Sequence, residues 1–194
     1  MKLNLAFYQD KDVVGLAKAF LGKVLCTNIN GIGCAGIITE TEAYAGITDK
    51  ASHAYGNRFT LRTAPMYKSG GLAYVYLIYG IHSLFNIVTG PEGIPHAVLV
   101  RSIAPLEGID QMKKRRKMQS TRDLANGPGK LSTALGIHYS HSGESLEGPK
   151  IWIEDRGLNP AEHRISTGPR IGIDYAEEDA SLPYRFVYHH GQEI

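Results

Sequence analysis

Ile38-Thr39-Glu40-Thr41-Glu42-Ala43-Tyr44 alternates with period two, the signature of a β-strand. Glu40, Glu42 and Tyr44 then share one face, and Thr39, Thr41 and Ala43 share the other. A carboxylate two residues from a phenol ring suits chemistry beside a flat ring. The anion can polarise water while the ring stacks on whatever is attacked. His53 follows nine residues after Tyr44.

Working outward, residues 24–28 and 36–44 read as two strands joined by a turn at Gly31 and Gly33. Residues 11–21 read as an amphipathic helix. Asp10 or Asp12 caps it, Val13, Leu16, Ala17 and Phe20 form its apolar stripe, and Gly22 ends it. Residues 45–71 are irregular and polar, and a connection that long is more often functional than not. Strands are expected over 73–79, 84–89 and 97–103, with a helix over 106–118. A short helix opens at Gly127-Pro-Gly-Lys-Leu131, with Pro128 in its first turn and Gly136 at its end. Strand candidates follow at 150–154, 170–174 and 184–188. Without a linker or repeat, these elements predict one α+β domain over 1–194, a mixed, largely antiparallel curved sheet flanked by helices.

Bulk properties agree. A chain of 194 residues, 43% hydrophobic and 21% charged, can bury a full core. Its 22 glycines and 9 prolines favour a strand-rich fold over a helical bundle. Cys26 and Cys34 lack metal or redox spacing and read as reduced, packed thiols. No signal peptide or membrane-length apolar run is visible, so a cytoplasmic protein without membrane attachment is expected.

Net charge is +2, but Lys113-Lys-Arg-Arg-Lys117 places five cations in a row. That run suits a solvated helix end and phosphate contact alike. Tyr74-Val-Tyr-Leu-Ile-Tyr79-Gly80 suits a tyrosine-rich strand packed on a core. Yet Tyr79 stands at a turn, where an exposed ring can act as a wedge between stacked bases. Asn86 and Arg101 fall on apolar strands, where each is either a satisfied structural residue or a site residue; Arg101 could keep Glu42 ionised. His53 has no metal-ligand partners at suitable spacing, and neither does His138-Tyr-Ser-His141. No metal or other cofactor is expected. Gly127-Pro-Gly-Lys130 lacks phosphate-loop spacing, although a helix N-terminus with a lysine can hold one backbone phosphate.

The ordered set Glu40-Thr-Glu-Ala-Tyr-Ala-Gly46, Asp49-Lys-Ala-Ser-His53, Tyr74-Val-Tyr-Leu-Ile-Tyr-Gly80, Asn86, Ala97-Val-Leu-Val-Arg101, Gly127-Pro-Gly-Lys-Leu131 and Arg170-Ile-Gly-Ile173 resembles the alkyladenine (3-methyladenine) DNA glycosylases of the mammalian type. The matches run from about residue 8 to residue 188. This resemblance implies one mixed domain unrelated to helix-hairpin-helix glycosylases. It also implies Glu42 as general base, with Arg101 positioning the water beside a backbone carbonyl near Ile171. Tyr44, His53 and Tyr76 would line the base pocket, Asn86 would reject guanine at its exocyclic amine, and Tyr79 would fill the gap left in the duplex. Two departures stand out. Gly56-Asn-Arg-Phe-Thr-Leu-Arg62 replaces the arginine-rich loop usual there, and Met66-Tyr67 stands where Met-Phe is common.

The implied activity is monomeric and hydrolytic. A damaged purine in double-stranded DNA is everted, stacked on Tyr44 and Tyr76, and released by a Glu42-activated water. An N3- or N7-alkylated purine is cationic, stacks well on electron-rich rings and leaves without an acid. Hypoxanthine would need an acid that the sequence does not display. No lysine lies in the pocket motifs, which argues against a Schiff-base lyase step. Phosphate contacts are assigned to the basic run, Arg58, Arg62 and Lys130. Two rivals differ in class. One is a carbohydrate glycosidase using Glu40 and Glu42; the other is a non-catalytic nucleic-acid-binding module in which Glu42 is a paired structural carboxylate.

Overall fold

Strand β2, Ile32–Tyr44, is the spine of the computed structural model, which describes residues 1–191. Residues 192–194 of the expected domain lie outside the described residues. Strand β1, Val24–Ile29, folds back on β2 from Ile29↔Ile32 to Val24↔Ile37. The turn between them is Asn30-Gly31, both at positive φ (57° and 78°). Asn-Gly tolerates that backbone best, whereas Gly33 lies inside the strand.

Strand β3 is Ala73–Ile78, β4 is His82–Thr89 and β5 is His96–Glu107. Strand β6 is Ile151–Glu154, β7 is Ile165–Gly168 and β8 is Arg185–Tyr188. Their main order is β3-β4-β5-β2-β1-β6, with β8 on β2 and β7 on β8. Every pairing between these strands is antiparallel. One edge of β2 carries β5 along most of its length. The other edge carries β1 first, then β8 through Glu40↔Val187 and Glu42↔Arg185. The β2–β5 register shifts between Ile38 and Glu40 and again before Thr41, and such bulges bend a strand and re-aim its side chains. Glu42 and Tyr44 follow the bend.

Helices cover the apolar face. Helix α1 is Leu5–Tyr8 and α2 is Val13–Ala19; Asp12 caps α2 by accepting from Gly15 N at 2.8 Å. Helix α3 is Ile109–Arg116, and α4 is Pro128–Leu135 with Pro128 in its first turn. Thr41 is wholly buried and donates to the Ala17 carbonyl at 2.7 Å, tying α2 to the face of β2 opposite Glu42. Phe20, Leu25, Ile38, Phe85, Val98, Val100, Met112 and Leu131 pack this core. Each such burial contributes about 1.5–3 kcal/mol.

Two expectations are corrected. Residues 170–173 form a loop and Asp174 opens a 3-10 helix: Pro169 precedes the loop and Gly172 takes φ 75°, so the alternating Arg-Ile-Gly-Ile pattern has no ladder to join. The edge strand is β7, at 165–168. The helix read over 106–118 starts only after Gly108, because β5 continues to Glu107 and Gly108 breaks the chain direction at φ 70°. Among the described residues, no helix is long and apolar enough to cross a membrane.

Candidate active site

Glu42 has no solvent exposure, and its carboxylate is held from three sides. Oε1 accepts from Ile171 N at 2.8 Å, Oε2 accepts from the Tyr44 hydroxyl at 2.9 Å, and Arg101 Nη1 lies 3.4 Å from Oε1. Burial pushes this carboxyl above the usual range, opposed by Arg101, the Ile171 amide and the Tyr44 hydroxyl. The Tyr44 phenol is likewise raised, first by burial and then by the Glu42 charge. All three neighbours of the carboxylate also line a cavity of about 700 Å³. Glu42 therefore sits directly behind the cavity wall.

Tyr74 and Tyr76 point the same way from β3, as alternation requires, with ring centroids 5.6 Å apart. His53, on the irregular connection, packs edge-on against Tyr76 at 4.6 Å, and its Nδ1 is 2.8 Å from the Tyr74 hydroxyl. Burial, with Arg62 and Arg58 nearby, lowers His53 to about 4, so the imidazole is neutral near pH 7. Burial also pushes the Tyr74 phenol up to about 12. Asn86 on β4 is buried in the same wall, its amide nitrogen donating to the Tyr74 and Leu84 carbonyls at 3.1 and 3.3 Å. Those two bonds fix the amide plane in the wall.

Tyr79 occupies the β3–β4 tip, 87% exposed at φ 52°, and its ring borders the cavity. Lys130 borders it from the first turn of α4, and Arg116 from the end of α3. The basic run is only partly free. Arg115 donates to the Ala134 carbonyl at 3.0 Å and Arg116 to the Leu124 carbonyl at 3.2 Å, so both stitch α3 to its neighbours. Arg58 is exposed on the connecting loop and does not line the cavity. Arg62 reaches the cavity itself: its guanidinium lies 4.8 Å from the Tyr76 ring centre, with Nη2 3.3 Å from His53 Nε2. A cation already rests on the aromatic wall.

Glu40 and Glu42 do not face each other across a cleft. Both lean on Arg101, and Glu40 Oε1 accepts from Arg101 Nε at 3.2 Å and from Arg185 Nη1 at 2.9 Å. A pair sharing one guanidinium on one wall cannot flank a sugar linkage from two sides. Sequence reasoning gave no role to Asp49 and Arg170, which form a buried pair behind Tyr44. An arginine amid Ile and Gly, on a segment read as a strand, was the available signal. Tyr175, which borders the cavity and donates to the Ala51 carbonyl at 3.3 Å, also escaped notice.

The site is an aromatic cavity backed by a sealed carboxylate and bordered by cations, a lining that suits a flat ring. Residues 6–192 match the family model described as methylpurine-DNA glycosylase, and the chain belongs to that family. A Chlamydia felis protein named "Putative 3-methyladenine DNA glycosylase" is 50% identical over 184 residues, covering 94% of this chain and 93% of its own. A Bacillus cytotoxicus protein of the same name is 45% identical over 197 residues, covering 97% and 96%. Both relatives are bacterial; with the family model they show the family, without its mammalian type.

Proposed function

We propose that this protein is a monofunctional DNA glycosylase that everts alkylated purines, 3-methyladenine and 7-methylguanine among them, from double-stranded DNA. It hydrolyses the N-glycosidic bond and leaves an abasic site. The observation that carries this reading is the placement of Glu42, one side chain behind the cavity and joined to it by Arg101, Tyr44 and Ile171. A carboxylate offers about four acceptor positions; the Ile171 amide, Arg101 and the Tyr44 hydroxyl occupy three, which leaves one place. The attacking water takes that place, polarised by the anion and oriented by the guanidinium.

The cavity supplies the rest of the reaction. Everting a base costs a few kcal/mol, and stacking on a ring returns about 1–3 kcal/mol. Tyr76 offers a ring face, which Arg62 covers until a base displaces it. The Tyr44 hydroxyl is committed to Glu42, so that ring is fixed in place before a base arrives. An alkylated purine carries its own positive charge, needs no acid to leave and is favoured over that ring. Asn86 and Tyr79 both line the cavity; in this reading Asn86 rejects guanine at its exocyclic amine and Tyr79 fills the vacated stack. The enzyme works as a cytoplasmic monomer and needs no cofactor for this chemistry.

The test uses duplexes carrying methylated purines or inosine, in EDTA, with free base and abasic sites measured in single turnover. Glu42→Gln should keep lesion binding while base release falls at least ~10²-fold. Release at the wild-type rate would instead remove Glu42 as the general base, and absence of release from wild type itself would leave a binding module whose Glu42 is structural.

A further inference from the structure

Asp49 and Arg170 form a buried fork. Arg170 Nη1 donates to Asp49 Oδ2 at 2.5 Å and Nη2 to Oδ1 at 2.9 Å, with side-chain exposures of 0% and 2%. The carboxylate is saturated, because Ala45 N and Ala51 N each donate to it at 3.0 Å. The guanidinium also reaches the Ala43 carbonyl at 2.8 Å and the Asp179 carbonyl at 3.2 Å, while its buried Nε has no partner among the described residues. It lies 4.9 Å from the Tyr44 ring centre and 5.2 Å from that of Tyr184.

Part of this network borders groups that touch Glu42. Ala43 is flanked by Glu42 and Tyr44, the guanidinium backs the Tyr44 ring, and the residue after Arg170 supplies the Ile171 amide to Glu42. Neither Asp49 nor Arg170 lines the cavity. We infer that the Asp49–Arg170 pair is a positioning device for the water-activating carboxylate, holding the Ile171 amide on Oε1 and the Tyr44 phenol on Oε2. This rests on the reading of Glu42 as the group that activates water. A pair that served only to staple the loops would leave the ionisation of Glu42 untouched. A positioning pair would not, because losing either donor disfavours the charged carboxylate.

Arg170→Met, Arg170→Lys, Asp49→Asn and Glu42→Gln should be compared with wild type by circular dichroism and single-turnover base release from pH 4 to 9. Their affinity for a duplex bearing a non-hydrolysable abasic-site analogue should be measured alongside. The expected result for folded Arg170→Met or Asp49→Asn is release slowed about 10²-fold, the scale of a small misplacement at a reacting centre. The acidic limb of its pH profile should move up by about one unit. Affinity for the analogue should stay within about threefold, and Arg170→Lys should recover part of the rate by restoring the charge. A folded variant with an unmoved acidic limb, while Glu42→Gln is inactive, makes the pair a structural staple and overturns the inference alone. Failure of all three clamp variants to fold does the same. Full activity of Glu42→Gln would remove the reading of Glu42, and the inference with it.

Discussion

His53 joins the cavity wall as a neutral imidazole, and its linkage to stability has a definite sign. Its folded value of about 4 lies below the ordinary 6.5, so the unfolded chain binds the extra proton between those two pH values. The stabilisation is complete above pH 6.5 and is lost as pH falls toward 4, amounting to about 3 kcal/mol over that window. The raised carboxyl of Glu42 acts in the opposite sense, since its folded form holds a proton to higher pH. A direct comparison of wild type with His53→Gln cancels that contribution. Urea unfolding at pH 7 and pH 4 should show wild type losing about 3 kcal/mol more than the variant, and parallel losses would contradict a buried neutral imidazole. At this scale the sequence is most readable where period-two alternation sets direction. Thr41 does face α2 while Tyr44, on the other side, lines the cavity with Glu42 behind its wall, and Tyr74 and Tyr76 share a side. Arg62 and the Asp49–Arg170 pair were not legible in the same way. Loop side chains follow no period, and a buried ion pair between residues 49 and 170 leaves no local trace.

Strands announced themselves by pattern, but their ends did not. Strand β5 runs on through Pro105 to Glu107 because β2 is long enough to pair with it there, which is a property of the partner and not of the segment. Residues 170–174 carried a strand pattern with nothing beside them to bond. The β3–β4 hairpin departs from local preference. Ile78 pairs with His82, and the intervening loop puts Tyr79 at φ 52° with 87% of its surface in water. A left-handed backbone costs a residue with a β-carbon roughly 1–2 kcal/mol, and an exposed ring returns almost none of it by burial. Tyr79→Asn suits that backbone better. Its folding stability should stay level or rise by up to about 1 kcal/mol in urea titrations. Affinity for lesion duplex should fall at least ~10-fold, on the scale of one lost base–aromatic stack. Unchanged affinity would remove the wedge role and leave the strained tip unexplained.

The sheet order was beyond the sequence, because β8 joins β2 across about 145 positions and no local signal specifies such a pairing. That long-range assembly turns a nearly neutral chain into a one-sided one. Arg62, Arg101, Arg116 and Lys130 line the cavity, and among the described residues no aspartate or glutamate lines it with them. Arg101 is neutralised from behind by Glu40 and Glu42, Arg116 is bonded to a backbone carbonyl, and Lys130 is held only by the exposed side chain of Asn126, so in the proposed reading Arg62, Lys130 and the neighbouring Arg58 are the cations offered to phosphates. Each phosphate neutralised contributes a slope of about −0.9 to a plot of log affinity against log salt, so three contacts give a slope near −3. Lys130→Ala and Arg58→Ala should each flatten it by about one while weakening lesion and undamaged duplex equally, since a phosphate contact carries no base information. Arg62→Ala should behave differently. The same loss of slope should come with faster association of the lesion duplex, because the variant has no guanidinium to displace from Tyr76. Fluorescence titrations from 50 to 200 mM salt, with stopped-flow association on the same duplexes, separate the two behaviours. Unchanged slopes in all three variants would move the DNA path to another face of the molecule.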